Sequence, residues 1–315
     1  MQNLSNPGVS DAETSAASKP SIVFVGLGTM GLPMASNLVR AGFPVTGSDA
    51  NRRAVEALVA AGGHDGNDAR DAASRADVVI TMLPDDRAVN DVLAPPSGLL
   101  AVMKRGSLAI EMSTTAPSTK VALAAAAACR SIDFVESPVG KTMEAAIAGT
   151  LTLMVGGTPS ATARARPILA SMGNELHVCG EVGAASAMKL INNALVACIN
   201  AASIEALVAG RKAKLDLDTM MGVFRTTMAW NQALAVGLPR KALKRDFRPG
   251  FMTRLAHKDV GLALGMAKDL GVPMTQVEAA YGILGRALDA GYGGDDTPGS
   301  MLRVREAQGG VQVGA

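Results

Sequence analysis

A lysine and two asparagines interrupt an otherwise apolar stretch, AMKLINNAL, in the second half of the chain. If this stretch is a helix, Asn192 and Asn193 follow Lys189 by three and four residues, and the three polar groups lie on roughly one face. An ammonium and two amides in apolar surroundings are costly without partners, and a lysine amine can act as a general acid or base. The spacing favours a catalytic site, and a lysine whose amine reaches out to solvent is the alternative.

A second group of residues has the pattern of a dinucleotide-binding turn. It follows the β-branched run SIVFVG and precedes apolar residues at helical spacing. Between a strand and a helix, G-x-G-x-x-G gives a tight turn, room for a pyrophosphate and close helix packing, which predicts binding of NAD or NADP. A glycine-rich turn with a purely structural role is the alternative. The predicted cofactor-binding residues of the turn are Gly26, Leu27, Gly28, Thr29, Met30 and Gly31.

Asp49 lies at the end of the second predicted strand, 18 residues after Gly31. A carboxylate there accepts hydrogen bonds from the adenosine ribose diol and repels a 2′-phosphate, which favours NAD over NADP. Arg52 and Arg53 follow closely and could partly offset this repulsion, so NADP stays possible. The alternative for Asp49 is the N-cap of the helix that DANRRAVEAL predicts.

The tripeptide Gly140-Lys141-Thr142 looks like the end of a nucleotide phosphate loop, but its spacing excludes that motif. A phosphate loop needs a glycine five positions before its final Gly-Lys-Thr, and Val135 stands there. A surface lysine without function is the alternative, so the role of Lys141 must be argued from its context.

The hydrophobic pattern predicts the scaffold that positions these residues. Short apolar runs at SIVFVG, FPVTGSD, ADVVITMLP, GSLAIEMST, DFVESPV and LTLMVGG alternate with helical stretches, and no strand is predicted after them. A long helix without proline, and without glycine before Gly210, then leads into helices broken at FRPGF, LGVP and GYGG. The predicted fold is an α/β Rossmann-type N-terminal domain with a parallel sheet, joined by a long interdomain helix to an all-α C-terminal domain. The predicted boundaries are 1–19 for a disordered tail, 20–182 for the NAD(P)-binding domain and 183–315 for the helical domain.

Composition excludes several classes of protein. The 315-residue chain carries 30 basic and 28 acidic side chains, so no nucleic-acid or membrane surface is expected. The N-terminus lacks the pattern of a signal peptide, and the apolar runs stop short of the ~18 residues of a membrane span, which predicts a cytoplasmic protein. Three cysteines without CxxC spacing and three histidines predict no metal site.

Five motifs, in this order, resemble the β-hydroxyacid dehydrogenase family, which includes 3-hydroxyisobutyrate dehydrogenases and tartronate semialdehyde reductases. They are the glycine turn, EMSTTAPSTK, SPVGKTMEAAIAGTLTLMVGG, MKLINN and LAHKDVGLAL, and the resemblance covers roughly Ser21 to Arg303. It implies reversible hydride transfer between NAD(P) and a small anionic 3-hydroxy acid or its semialdehyde. It also implies that no metal is required and that the protein forms a homodimer or homotetramer.

The same resemblance implies roles for individual residues. Lys189 matches the family's catalytic lysine and Asn193 the partner that orients it. The other predicted contacts are Ser113, Thr114, Gly140, Lys141, Thr142 and Asn192 to the substrate, and Thr114, Leu83, Pro84 and Lys258 to the cofactor.

The sequence departs from the family's pattern in two places, one residue and one loop. Glu111 stands where most members have Asp, and we expect little consequence. The usual PVSGG substrate loop reads PVGKT at 138–142, which is most similar to the sulfolactaldehyde reductases, whose loop carries Val-Gly-Arg-Thr with the arginine on the sulfonate. By this similarity Lys141 places a positive charge beside the anionic end of the substrate, with Thr142 donating a hydroxyl hydrogen bond. A lysine could accept a carboxylate, a sulfonate or a phosphate there.

Two other functions stay open at this point. One is a related imine reductase, whose active position usually holds a residue other than lysine, so that Lys189 argues against it. The other is a non-catalytic protein that uses the fold only to bind NAD(P). Such a protein would have no need for Ser113, Thr114, Lys189 and Asn193 together.

Overall fold

In a computed structural model, which describes residues 19–314, nine strands form one sheet in the N-terminal half and the C-terminal half is helical. The strands are β1 (Ile22–Val25), β2 (Val45–Ser48), β3 (His64–Asp65), β4 (Val78–Thr81), β5 (Leu108–Glu111), β6 (Asp133–Glu136), β7 (Val139–Gly140), β8 (Leu151–Gly157) and β9 (Gly173–Gly180). The helices are α1 (Gly31–Arg40), α2 (Arg52–Ala60), α3 (Ala69–Arg75), α4 (Asp86–Leu93), α5 (Pro117–Ala128), α6 (Met143–Ala148), α7 (Pro159–Leu169), α8 (Ala184–Lys212), α9 (Leu217–Arg225), α10 (Leu238–Arg240), α11 (Thr253–Asp269), α12 (Thr275–Asp289) and α13 (Thr297–Gly309). The tail predicted over 1–19 lies outside the described residues, except for Lys19.

The sheet has the order β3-β2-β1-β4-β5-β6-β8-β7, with β9 beside β8. The first six strands in the chain pair in parallel. Along β1, Ile22 and Phe24 belong to one hydrophobic core and Val23 and Val25 to another. Because the strand is buried on both faces, its sequence is a continuous apolar run rather than an alternating one. The Rossmann-type sheet predicted from the alternation of strands and helices is confirmed.

At one edge the sheet departs from the predicted parallel pattern, and it continues beyond LTLMVGG, the last predicted strand. β8 runs antiparallel to β6 and β7, and the unpredicted β9 lies parallel to β8. Most residues of β9 are exposed or half-buried, so it lacks the buried apolar run that identified the other strands. Its place in the sheet is set by backbone pairing with β8, which no local hydrophobic pattern records.

Helix α8 leads from the sheet into the helical half. It begins four residues after the end of β9 and packs against α11, α12 and α13. The helix continues through Gly210, where a Cβ would collide with the Met220 sulfur of α9, so glycine lets these two helices approach closely. Its length and its mean hydropathy of 1.5 would also suit a membrane span. Here its buried side chains form the core of the helical half.

The predicted breaks in the helical half are also confirmed. α11 begins after FRPGF and ends before LGVP, and α12 ends before GYGG. Between α9 and α11 the chain forms short turns, a π-helical segment at Ala233–Gly237, the single turn of α10 and a 3₁₀ segment at Ala242–Lys244.

Candidate active site

The glycine turn joins β1 to α1 at the carboxyl edge of the sheet. Gly26 has φ +95°, and a Cβ there would collide with the Met82 carbonyl, while a Cβ on Gly31 would collide with the Gly26 carbonyl. Gly28, in contrast, faces open space. Within the described residues, the backbone N–H groups at 28–30 donate no hydrogen bond. An open glycine and free N–H groups at a helix N-terminus fit the pyrophosphate of a dinucleotide.

The Asp49 carboxylate is fixed beside this turn. It accepts hydrogen bonds from the backbone N–H of Leu27 (2.6 Å) and of Asn51 (2.7 Å). The N-cap of α2 is Asn51, which accepts from the backbone N–H of Arg53, so Asp49 does not cap that helix. The two carboxylate oxygens have further lone pairs, which could accept hydrogen bonds from a ribose diol.

The two arginines after Asp49 differ in their surroundings. Arg52 forms a two-point ion pair with Asp65, with nitrogen–oxygen distances of 3.0 and 2.5 Å. The Arg53 side chain is exposed, and within residues 19–314 its guanidinium donates no hydrogen bond. Since Arg52 is already engaged, Arg53 is the cation with more freedom to meet a 2′-phosphate.

The loop between β5 and α5 lies next to the segment that follows β4, which in turn contacts the glycine turn at Gly26. Ser113 is fully buried, and its Oγ accepts a hydrogen bond from the backbone N–H of Leu83 (2.7 Å). The Thr114 carbonyl accepts one from Lys258 Nζ (2.6 Å), which reaches over from α11. The structure thus brings together four of the predicted contacts from both halves of the chain. Pro84 lies exposed beside them.

Lys189 and Asn193 lie one turn apart where α8 faces α11. Asn193 Nδ2 donates a hydrogen bond to Asp259 Oδ2 (2.7 Å), and Asn192 Nδ2 donates to Asn193 Oδ1 (3.1 Å). Lys258 Nζ lies 2.8 Å from the other oxygen of Asp259. Lys189 is half-buried, and within the described part of the chain its amine forms no hydrogen bond or ion pair. A proton donor without an internal acceptor is therefore placed beside the buried Asp259 carboxylate and its half-buried partner Lys258.

Burial lowers the pKa of the Lys189 amine below its ordinary value. The carboxylate of Asp259 acts in the opposite direction, and the positive charge of Lys258 lowers the pKa further. An amine with a lowered pKa is closer to the neutral state at which it can both give and take a proton near physiological pH.

The buried carboxylate of Glu136, at the end of β6, holds the start of α8. It accepts hydrogen bonds from the backbone N–H groups of Gly183 (2.6 Å), Ala185 (2.8 Å) and Ser186 (3.2 Å), and from Ser186 Oγ (2.5 Å). A negative charge at a helix N-terminus is favourable because the N–H groups there lack partners within the helix. Lys189 follows Ser186 by three residues, so the same contact fixes the first turn of the helix that carries the amine.

Lys141 follows β7 with a left-handed backbone, at φ +76°. Its Nζ donates a hydrogen bond to the Thr150 carbonyl (2.8 Å) and lies 3.4 Å from Glu175 Oε1. Within residues 19–314, no hydrogen bond or ion pair joins Lys141 to the polar residues of α8 and α11. The ammonium of Lys141 is thus already paired within the protein. It must leave Thr150 and Glu175 in order to bind the anionic end of a substrate.

The residues on either side of Lys141 are Gly140 and Thr142, and both lie at defined positions in the fold. Gly140 is buried in β7, opposite Thr152 of β8. Thr142 precedes α6, and its hydroxyl hydrogen bond to Glu144 lowers the pKa of that carboxyl group. Glu144 in turn forms an ion pair with Arg240 of α10 (2.8 Å), so the substrate loop is tied to the helical half of the chain.

Three charged residues of this region have no role in the sequence analysis, namely Lys120, Glu136 and Asp259. Each is almost fully buried. For two of them the sequence contained a signal, because Lys120 stands in an alanine-rich helix and Glu136 ends an apolar strand. A charge at a position that the pattern predicts to be buried needs a partner.

No group of three or more His, Cys, Asp or Glu side chains within residues 19–314 is placed to hold a metal ion. The three cysteines are free thiols, and Cys129 is exposed.

Comparisons with known proteins agree with this geometry. The NAD-binding domain of 6-phosphogluconate dehydrogenase matches residues 21–181, and the NAD-binding domain of NADP-dependent 3-hydroxyisobutyrate dehydrogenase matches 183–304. The 3-sulfolactaldehyde reductase of Escherichia coli (strain K12) is 38% identical over 91% of this chain and 97% of its own length. The 2-(hydroxymethyl)glutarate dehydrogenase of Eubacterium barkeri is 35% identical over 93% of this chain and 97% of its own. The structure of Mycobacterium tuberculosis 3-hydroxyisobutyrate dehydrogenase with L-serine superposes with a TM-score of 0.84 at 32% identity, covering 91% of this chain and 99% of that one. The chain therefore belongs to the 3-hydroxyisobutyrate dehydrogenase family of NAD(P)-dependent oxidoreductases, which act on hydroxy acids.

Proposed function

We propose that this protein interconverts a small anionic 3-hydroxy acid, or a hydroxyalkyl sulfonate, and its semialdehyde, with Lys189 as general acid and base. The observation that carries the proposal is the half-buried amine of Lys189 without an internal acceptor, beside the buried Asp259 and its partners Asn193 and Lys258. The related enzymes act on several different hydroxy acids and aldehydes. The proposal therefore defines the substrate by its chemistry.

The glycine turn and Asp49 would hold the cofactor. When bound, NAD(P) accepts the hydride from the alcohol carbon or supplies it to the aldehyde carbon. The open face of Gly28 gives the pyrophosphate room, and Asp49 would accept hydrogen bonds from the ribose. Because the Asp49 carboxylate repels a 2′-phosphate and Arg52 is bound to Asp65, we infer a preference for NAD over NADP.

Lys189 would move the proton that accompanies the hydride. In reduction, its ammonium donates a proton to the carbonyl oxygen of the semialdehyde, and in oxidation its neutral amine takes the proton of the hydroxyl group. Burial favours the neutral amine, and the charge of Asp259 favours the ammonium. These opposing effects keep both states accessible, as a reversible reaction requires.

Asn193 would act through Asp259. Its amide nitrogen donates to the Asp259 carboxylate, and its amide oxygen accepts from Asn192 rather than from Lys189. Together with Lys258, this hydrogen bond fixes the negative charge that faces the amine. Asn193 and Lys258 thus set the electrostatic surroundings of Lys189, in addition to any contact with substrate or cofactor.

Ser113, Thr114 and Asn192 would contact the substrate beside Lys189, and for the fully buried Ser113 this requires the loop to expose it. The Ser113 oxygen accepts a hydrogen bond from Leu83, so its own hydroxyl hydrogen remains able to donate. Lys141, Gly140 and Thr142 would bind the anionic end. For Lys141 this requires its ammonium to exchange Glu175 for the substrate anion, and an exposed ion pair of this kind is weak enough to exchange.

We also propose that the protein works as a homodimer or homotetramer in the cytoplasm. Helix α8 exposes Met188, Ile191 and Leu195 at spacings of three and four residues, with between 43% and 59% of each side chain accessible. Such an apolar stripe on the surface of a helix is typical of a face that another protein surface covers.

Absorbance of NADH at its nicotinamide band, with a panel of small acidic semialdehydes and with NADPH in parallel, tests the proposal. The panel contains sulfolactaldehyde, tartronate semialdehyde, succinic semialdehyde and a neutral aldehyde of the same length. We expect turnover of at least one anionic member with NADH and little with the neutral aldehyde. Turnover of none of them, with NADH still bound, would favour a protein that only binds the cofactor.

A further inference from the structure

The Ser113 peptide is held on both sides by buried charged side chains that the proposed chemistry does not use. Its N–H donates a hydrogen bond to Glu111 Oε1 (2.9 Å), and its carbonyl accepts one from Lys120 Nζ (2.9 Å). Glu111 and Lys120 also contact each other as an ion pair, and both are fully buried. The three residues therefore close a ring of polar contacts in the loop between β5 and α5.

A buried ion pair of this kind is a poor way to stabilise a fold. Removing two charges from water is costly, and apolar residues in their place are often as stable or more so. Burial lowers the pKa of the Lys120 amine, in opposition to the carboxylates of Glu136 and Asp86. A pair kept in such surroundings is better explained by what it holds in place.

What the pair holds is the part of the loop nearest to the proposed chemistry. Ser113 and Thr114 are fixed at four points, which are the N–H, the carbonyl and the hydroxyl of Ser113 and the carbonyl of Thr114. Glu111 and Lys120 supply the first two. Because these two contacts lie on the backbone groups on either side of the Ser113 Cα, they set the direction in which its side chain points.

We propose that Glu111 and Lys120 are positioning residues, which hold the Ser113 backbone so that Ser113 and Thr114 face the substrate and the nicotinamide. The inference rests on the proposed function in one respect, namely that these two residues contact substrate and cofactor. The two charges act through the loop and touch neither reactant.

The double variant Glu111→Leu/Lys120→Met tests this role, because it removes both charges of the pair together. We expect kcat to fall by about 10- to 100-fold, the range that a displacement of about 1 Å in an active site can cause. We expect the dissociation constant of NADH, from fluorescence titration, to rise several-fold. Amide hydrogen exchange should increase in the peptide that spans residues 112–116 and stay unchanged in the peptides that contain β4 and β6.

Two further variants make the test specific. Glu111→Gln keeps the oxygen that accepts from the Ser113 N–H and removes the charge, so its losses should be smaller than those of the double variant. It also serves if the double variant does not fold. Glu306→Gln is the matched control, because it weakens a partly buried ion pair with Arg245 (2.6 Å) in the helical half and should change neither kcat nor exchange at 112–116.

Unchanged kcat in a folded double variant would overturn the proposal, and so would unchanged exchange at 112–116. An equal loss in Glu306→Gln would also overturn it, because the effect would then follow from stability alone. If the natural chain turns over no substrate, the proposed function fails by itself. The exchange and NADH titration experiments then still decide whether the pair holds the loop.

Discussion

Asn193 Nδ2 donates a hydrogen bond to Asp259 Oδ2 (2.7 Å) between α8 and α11, which leaves the buried carboxylate facing the amine of Lys189. Because the Asp259 charge raises the pKa of Lys189, Asp259→Asn should lower that pKa further. Reduction needs the ammonium, so the decline of kcat/KM for reduction with rising pH should move to lower pH. Oxidation needs the neutral amine, so the increase of kcat/KM for oxidation with pH should begin at lower pH. Profiles of kcat/KM against pH in both directions measure the shift.

Asp269→Asn is the control for this variant, because Asp269 is exposed at the end of the same helix. Its pH profiles should match those of the natural protein. Profiles of Asp259→Asn that do not move would show that the carboxylate has no influence on the titrating group.

Lys189→Met should lower kcat by at least about 100-fold, which is the lower end of the loss expected when a general acid is removed. The variant should bind NADH with unchanged affinity, since the turn and Asp49 are intact. Steady-state kinetics and fluorescence titration measure the two quantities. Substantial activity in this variant would remove Lys189 from the mechanism.

Thermal unfolding serves as the control for Lys189→Met. Since burial lowers the pKa of Lys189 in the folded state, the unfolded chain binds more protons between the folded and the unfolded pKa. Between these two pKa values the lysine makes the free energy of unfolding rise with pH. At lower pH, where the amine is charged in both states, the lysine destabilises the fold. The variant should therefore unfold at a higher temperature at pH 7, which excludes unfolding as the cause of lost activity.

Asp49→Ser should raise the dissociation constant of NADH by about 10-fold or more, because hydrogen bonds to a charged acceptor contribute ~1.5–3 kcal/mol. It should also raise the activity with NADPH relative to NADH, since the repulsion of a 2′-phosphate is gone. The ratio of kcat/KM for the two cofactors measures the change. Asp65→Asn, which releases Arg52, should increase NADPH use further when added to Asp49→Ser. An unchanged ratio would mean that Asp49 does not face the ribose.

Lys141→Ala and Lys141→Gly should both raise the KM of the anionic substrate with little change in kcat, because both remove the ammonium. They should differ in stability, since φ +76° favours glycine by about 1 kcal/mol over a residue with a side chain. Glu175→Gln should have the opposite effect on KM, because it frees the lysine from its internal partner. An unchanged KM in both Lys141 variants would contradict a contact between Lys141 and the anionic end of the substrate.

Leu195→Glu should dissociate the assembly that we propose, because it places a charge in the exposed apolar stripe of α8. Sedimentation should show a mass that is a multiple of 32.1 kDa for the natural protein and a smaller multiple for the variant. Leu215→Glu is the control, since Leu215 is also exposed but lies beyond the end of α8. A natural protein that sediments at 32.1 kDa would refute the proposed oligomer.

The sequence predicts those features that depend on neighbours along the chain. The glycine turn follows from the positions of Gly26, Gly28 and Gly31 between a strand and a helix. Lys189 and Asn193 share a face because helical spacing places them there. The sequence also indicates the family, because these motifs occur in a fixed order.

The features that the sequence analysis lacks depend on contacts between distant segments. Asn193 and Asp259 are 66 residues apart, and Glu136 and Ser186 are 50 apart. Strand β9 is held by its pairing with β8 rather than by a buried face of its own. The exposed ion pair of Lys141 likewise depends on β9, so an argument from the substrate loop alone could not find it.

The contacts of Glu136 with the first turn of α8 restrict how the two halves of the protein can move. The carboxylate ties the start of that helix to the last residue of β6, immediately before the substrate loop. If the helical half moves relative to the sheet, it can swing about this point but cannot slide along the sheet edge without breaking several hydrogen bonds. Lys189 lies within one turn of the pivot, so a swing that moves the far end of α8 by many ångströms would shift its Cα by only a small fraction of that distance.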